Sequence, residues 1–173
     1  MNWILQTERL SLRRITSDDF SDLCGILQDA EVMYAWEHAF SDNEVYEWID
    51  RNLCRYETDG FGCFAAVETS TGKLIGVIGP ITEVIDNKPH IGLSYILAKA
   101  YWGKGYAFEG AKACLSYAFS KLKATRVIAE IRPMNEPSRK LAEKLGMQVE
   151  SEITKYYYNQ AMPHLVYACY SAI

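Results

Sequence analysis

Residues 91–122 read IGLSYILAKAYWGKGYAFEGAKACLSYAFSKL: an apolar strand-like run, a loop punctuated by two glycines, then a helical pattern. At the centre stands Trp102-Gly103-Lys104-Gly105-Tyr106-Ala107. Glycines let a backbone turn tightly and approach a ligand without Cβ clashes. The helix that follows turns its first unpaired N–H groups, and the positive end of its dipole, back onto the loop. Such a junction is either a plain structural corner or a site for an anion, most often phosphate. The loop has neither the lysine followed by Ser/Thr of a P-loop nor the three glycines of a dinucleotide fingerprint. A pyrophosphate outside those two classes is therefore the expected ligand.

Outward from this loop, residues 135–147 carry a second motif, NEPSRKLAEKLGM. Together the two resemble the GNAT family of N-acetyltransferases, and within it the branch that acetylates ribosomal-protein N-termini. That family shows a pyrophosphate loop of the form Gln/Arg-x-x-Gly-x-Gly/Ala, here Trp102 to Ala107, with Trp in the first position as in that branch. It also shows an Asn-x-x-Ser opening a late helix, here Asn135 and Ser138, that ends at Lys144-Leu145-Gly146. The resemblance extends from Thr7-Glu8-Arg9-Leu10 through the last strand-like segment. It specifies the cofactor and says little about the acceptor.

The resemblance implies acetyl-CoA as co-substrate. The amides of Gly103, Lys104, Gly105, Tyr106 and Ala107 then suit its pyrophosphate, and Lys104 is either a point charge for it or a solvated loop lysine. The pantetheine arm lies along the strand before the loop in the family, which puts Ile96 and Leu97 beside it. A Leu97 N–H would meet the oxyanion formed at the thioester carbonyl, a contribution of roughly 3 kcal/mol. By side chain alone, both residues read as core. Asn135 is either a helix cap or a ligand of the pantetheine. Many relatives place a tyrosine acid seven residues after this Asn, where this chain has Ala142; Ser138 becomes the candidate donor to the leaving sulfur, against the alternative of a hydroxyl satisfying the first helical turn.

An amine acceptor arrives as an ammonium and needs a base with a pKa near neutrality. Relatives often carry a glutamate where this chain has His90, and histidine titrates in the right range untuned; an exposed loop end is the competing reading. Glu83 and Glu130 are the fallback carboxylates. Tyr34, Trp36 and His38, with Tyr156 to Tyr158, fall where relatives line the acceptor site, and aromatic groups there either hold a cation or pack. The acceptor contacts expected among them are Tyr34, Trp36 and Tyr157. Glu31, Glu37 and Asp42 either attract a positively charged amine or form a solvated face.

Composition agrees with one domain over residues 1–173. The chain is 49% hydrophobic and long enough to bury a sizeable core. A net charge of −4 argues against nucleic-acid binding and mildly favours a basic or amine-bearing acceptor. Five cysteines with no Cys-x-x-Cys pair point to no disulfide framework, no metal site and a reducing compartment. Neither a leader of the secretory type nor an apolar run of about 18 residues is present, so a cytoplasmic protein without a membrane partner is expected. A homodimer is a family-level expectation.

The periodicities predict strands at 8–15, 61–69, 73–84, 90–97, 126–132, 149–158 and 164–171. They predict helices from Ser17 to about Leu27, after the Ser41-Asp42-Asn43-Glu44 capping box to Gly60, at 106–123 and at 137–145. The order β-α-α-β-β-β-α-β-α-β-β is an α/β (α+β) fold, a mixed, mostly antiparallel twisted sheet flanked by helices, as the resemblance also implies. The reading is an N-acetyltransferase working by direct attack in a ternary complex on a small amine or a peptide or protein α-amine. A non-catalytic acyl-CoA-binding or sensing module is the alternative.

Overall fold

A computed structural model describes residues 2–172. One eight-stranded sheet runs through the molecule. In chain order its strands are β1 (Leu5–Gln6), β2 (Leu10–Arg14), β3 (Phe64–Glu68), β4 (Leu74–Ile85), β5 (Lys88–Leu97), β6 (Arg126–Ile131), β7 (Gln148–Tyr157) and β8 (Gln160–Tyr170). The spatial order is β1-β2-β3-β4-β5-β6-β8-β7. Every neighbouring pair is antiparallel except β5 and β6, whose recorded parallel register covers only Ile91↔Val127 and Gly92↔Ile128. Beyond Gly92 the two strands part. That split, in the middle of the sheet, positions everything described below.

Among the described residues four α-helices cover the sheet: α1 (Phe20–Leu27), α2 (Asp42–Thr58), α3 (Tyr106–Ser120) and α4 (Glu136–Lys144). The period of two in the strands divides their side chains between two cores. On one face Leu10, Phe64, Ile78 and Leu97 pack with Ala111, Cys114 and Leu115 of α3. On the other Ala65, Val77 and Ile96 pack with Leu23, Ile26, Val45 and Ile49 of α1 and α2. α3 lies so close to the sheet that a Cβ on Gly110 would fall 2.5 Å from Ile78 Cδ1. A smaller cluster seats α4, with Ala142 fully buried among Ala129, Ile131, Met147 and Tyr167.

The predicted element order is present, with one addition and several shifted ends. The addition is β1, two residues that pair Leu5 with Leu12 and Gln6 with Ser11; so short a segment has no alternation to read. The strands expected to stop at Val84 and restart at His90 instead run to Ile85 and from Lys88, closed by Asp86 and Asn87 at φ 50° and 60°. Pro89 fits in the strand because β5 has no partner on its other side there. A second tight turn, Tyr158-Asn159 at φ 49° and 61°, joins β7 to β8, so β8 begins at Gln160 and includes Pro163. The Ser41–Glu44 capping box forms as expected, with Glu44 N–H donating to Ser41 Oγ at 3.3 Å and Glu44 Oε2 accepting from Ser41 N–H at 2.8 Å.

Candidate active site

The glycine loop leaves β5 through a turn at Lys99–Tyr101 and enters α3 at Gly105. Gly103 and Gly105 have φ of 69° and 84°, the left-handed region that other residues adopt at a cost. No backbone hydrogen bond outside the regular elements occupies the N–H of Gly103, Lys104 or Gly105 among the described residues. With the first N–H groups of α3, which no helix can satisfy internally, they make a patch of free donors at a helix N-terminus. The loop is clasped from below. Arg9 Nη1 donates to the Lys104 carbonyl at 2.9 Å, and Arg9 Nε donates to Glu109 Oε2 at 2.7 Å.

Above this patch, between the parted strands, lies a groove of about 600 Å³. Ile96, Leu97, Trp102, Gly103, Gly105 and Ala107 form its loop end; Tyr34, Trp36, Asn135, Ser138, Lys140 and Lys144 belong to its walls. The backbone of β5 is turned to serve it. Ala98 N–H donates to the Ile75 carbonyl at 2.9 Å; by strand alternation the N–H and carbonyl of Leu97 then face away from β4, towards the split. Trp102 Nε1 donates to the Leu97 carbonyl at 2.9 Å, and no described group accepts from the Leu97 N–H.

A second cavity, about 430 Å³, continues past the first on the α2 and β7–β8 side. The two share Ala35, Trp36, Tyr95, Ile96, Asn135 and Ser138. This junction has a worked hydrogen-bond geometry. Asn135 Oδ1 accepts from Tyr34 Oη at 2.5 Å and from Ser138 N–H at 3.3 Å. The side-chain oxygen of Asn135 therefore caps α4, while its amide nitrogen has no partner among the described residues. Tyr95 Oη donates to the Ser138 carbonyl at 3.1 Å, and burial pushes its phenol above the usual range, so it keeps its proton. Ser138 Oγ itself makes no hydrogen bond with a described residue.

The second cavity holds the ionisable groups. Lys155 of β7 bridges Glu83 of β4 at 3.1 Å and Glu130 of β6 at closer range. Only 3% of the Glu130 side chain is exposed. Burial first, then the Glu83 charge, raise its carboxyl above the ordinary value against the pull of Lys155. Burial opposes the Lys155 charge, but the two carboxylates prevail and hold it above its usual range. Room for Glu83 comes from Gly92, where a Cβ would lie 2.7 Å from Glu83 Cγ. His164 is also on this wall; its Nδ1 lies 2.9 Å from the Met162 carbonyl, and burial lowers its pKa.

Of the residues singled out in the sequence, Ile96, Leu97, Trp102, Gly103, Gly105, Ala107, Asn135, Ser138, Tyr34 and Trp36 line the first groove, and Glu83 and Tyr157 the second cavity. Others lie elsewhere. The Tyr106 side chain is buried with its hydroxyl on Glu68, and the Lys104 ammonium sits 5.8 Å from the Tyr101 ring centre. His90 lines neither cavity; its Nδ1 lies 3.2 Å from Arg126 Nη1. Glu31, Glu37 and Asp42 are taken up by Lys99, Arg132 and Gln28. Tyr95, Lys155, His164, Arg55 and Arg132 were not anticipated, because nothing local marks them.

Comparison with known proteins agrees with this geometry. A family model described as an acetyltransferase (GNAT) domain matches residues 9–148. YkkB of Bacillus subtilis is 32% identical over 153 residues, covering 88% of this chain and 89% of its own. Among solved structures, a GNAT-family acetyltransferase of Bacillus anthracis superposes with a TM-score of 0.80 at 26% identity, covering 96% of this chain and 97% of that one. A ribosomal-protein-S5-alanine acetyltransferase of Vibrio fischeri matches with a TM-score of 0.75 at 23% identity over 96% and 95% of the two chains, a likeness of fold.

Proposed function

This chain belongs to the GNAT family of acetyltransferases, which use acetyl-CoA, and on that premise we propose that it moves the acetyl group to a primary amine as a single domain over residues 1–173. The observation that carries the reading is the junction: in the gap that opens beyond Gly92, where β5 and β6 part, two cavities meet at Tyr95, Ile96, Asn135 and Ser138, one residue before the free Leu97 N–H.

In this reading the groove over the glycine loop takes acetyl-CoA. Its phosphates meet the free N–H groups of residues 103–105 and the start of α3, with Lys140 and Lys144 on the wall. Asn135, whose oxygen is occupied by the cap, turns a free amide nitrogen to the pantetheine. Acetyl-CoA supplies an activated thioester. The second cavity takes the amine, and Glu130 removes its ammonium proton; a carboxyl buried enough to sit above its ordinary pKa is a better base near neutrality than an exposed one. Glu83 and Lys155 fix that carboxylate in place. The freed nitrogen lone pair forms the bond to the carbonyl carbon and the Leu97 N–H meets the oxyanion; the nitrogen, now carrying one proton too many, gives it to solvent water as the oxyanion collapses and the carbon–sulfur bond breaks. Ser138 Oγ donates a hydrogen bond to the departing thiolate, which takes its proton finally from solvent.

The acceptor reading is a peptide or protein α-amine, or a small primary amine. Similarity to the ribosomal-protein acetyltransferase from Vibrio fischeri supports the former. No described helix is long and apolar enough to cross a membrane. The first test is the thermal shift on adding acetyl-CoA, with ATP and NAD as controls. A ligand at about 100 times its Kd stabilises by roughly 2.7 kcal/mol, which moves the midpoint by about 5 to 10 °C. A shift with acetyl-CoA alone is expected; no shift at millimolar concentration defeats the reading.

A further inference from the structure

The second cavity is richer in cations than the chain around it. Arg51, Arg55, Arg132 and Lys155 stand on its wall against the carboxylates Glu83 and Glu130, in a protein whose net charge is −4. The two carboxylates are already engaged by Lys155. Arg132 gives Nη1 to the Ala35 carbonyl at 2.9 Å and lies 3.7 Å from Glu37, yet its Nε is buried with no partner. Among the described residues Arg51 has only Glu47 as an ion-pair partner, at 3.9 Å, one turn back on the helix. The Arg55 side chain has no carboxylate within ion-pair distance and makes no hydrogen bond among the described residues. Trp48, Arg51 and Arg55 follow helical spacing along α2, so one face of that helix presents an aromatic ring and two guanidinium groups to the cavity.

Resting on the acetyltransferase reading, we propose that the acceptor is a primary amine that also carries an anionic group, its amine directed to Glu130 and its anion to Arg55 and Arg51. The guanidinium fork suits a carboxylate or phosphate. A polycationic amine would meet three arginines across the same cavity, which disfavours it. The whole-chain charge points the other way, towards a basic acceptor; the local field governs because it acts at a few ångströms, whereas distant surface charge is screened within about 8 to 10 Å.

The test uses acceptors matched in shape and differing in charge. One panel is alanyl-glutamate, alanyl-glutamine and alanyl-lysine, all amidated at the C-terminus; the other is γ-aminobutyrate, γ-aminobutyramide and putrescine. The panel that turns over identifies peptide or small molecule as the source of the amine. In that panel the anionic member is expected to exceed the neutral one in kcat/KM by about tenfold, mainly through KM. Arg51→Gln with Arg55→Gln should bring that ratio close to one, with acetyl-CoA binding as the check on folding. An equal rate for neutral and anionic members, a preference for the cationic one, or a preference that survives the double substitution would overturn the proposal. Calorimetric titration of the acetyl-CoA-loaded protein with glutarate separates the two claims. Glutarate binding that the double variant loses, without turnover of either panel, keeps the anion site and retires the proposed acceptor chemistry. Turnover with no preference and no glutarate binding does the reverse.

Discussion

Arg9 and Glu109 are joined at two points: the Arg9 side-chain Nε donates to Glu109 Oε2 and the Arg9 backbone N–H donates to Oε1, both at 2.7 Å. Thr7 Oγ1 donates to the same Oε1 at 2.6 Å. Glu109 lies in the first turn of α3, and the Arg9 guanidinium also holds the Lys104 carbonyl. The start of the chain thus fixes the attitude of the glycine loop. Glu109→Gln is expected to raise the Kd for acetyl-CoA about tenfold, the equivalent of one lost charge-assisted hydrogen bond. Calorimetry decides it; unchanged affinity would mean the loop holds its own shape.

The two loop glycines should differ in their response to alanine. Both have left-handed backbones, a strain of about 1–2 kcal/mol for other residues. A Cβ at Gly103 meets no atom within 4 Å, whereas one at Gly105 falls 3.3 Å from Arg9 Nη2. Gly105→Ala should therefore cost more affinity for acetyl-CoA than Gly103→Ala, and urea unfolding should give the same order. The reverse order would remove Arg9 from the account.

Ser138→Ala is expected to lower kcat by about 10- to 100-fold, as loss of a hydrogen bond to a charged sulfur would, with the Kd for acetyl-CoA changed less than about threefold. An equal loss in both quantities would assign Ser138 to binding alone.

The acid limb of the pH–rate profile should belong to Glu130. Its carboxyl is raised above the ordinary value, so activity falls as pH drops through that raised pKa. Glu130→Gln should abolish the limb and lower the rate by roughly 10²- to 10⁴-fold. Lys155→Met removes a charge that favours the ionised form, so the limb should move to higher pH. If His90→Gln shifts the limb instead, the base is the histidine outside the cavities.

Stability below neutrality should depend on Glu44. The Ser41 backbone N–H, then His38, hold its carboxyl down at about 2. A lowered pKa gives stability that is present above the unfolded value and lost as pH falls towards the folded one. Melting temperature should decline between about pH 5 and pH 2, less steeply in Glu44→Gln. An identical slope would sever the cap from acid unfolding.

Much of this architecture could be read from the sequence because its signals are local. Gly103, Gly105 and the Ser41–Glu44 box declare a loop and a helix start within a few residues. The turns at Asp86-Asn87 and Tyr158-Asn159 escaped because neither has the glycine that usually marks them, and Pro89 and Pro163 resembled strand ends. The acceptor side was illegible for a different reason. Glu83, Glu130 and Lys155 come from three strands, with β5 lying between the first two and β8 between the last two, so no spacing along the chain reveals the triad. Arg55 lies on an amphipathic helix, where the local sequence does not separate a cavity cation from a solvated one.

The early end of the β5–β6 pairing has a consequence for how the protein holds together. It gives the sheet an internal edge, with the amides of Tyr95 and Leu97 lacking a neighbouring strand. An outer edge invites another protein chain to pair with it. This one instead borders the groove between α4 and the segment around Tyr34, a slot lined by Tyr34, Ile96, Asn135 and Ser138. Whatever fills that slot acts as a ninth, removable strand. The interior of this protein is thus completed anew with each molecule it binds and reopened with each one it releases.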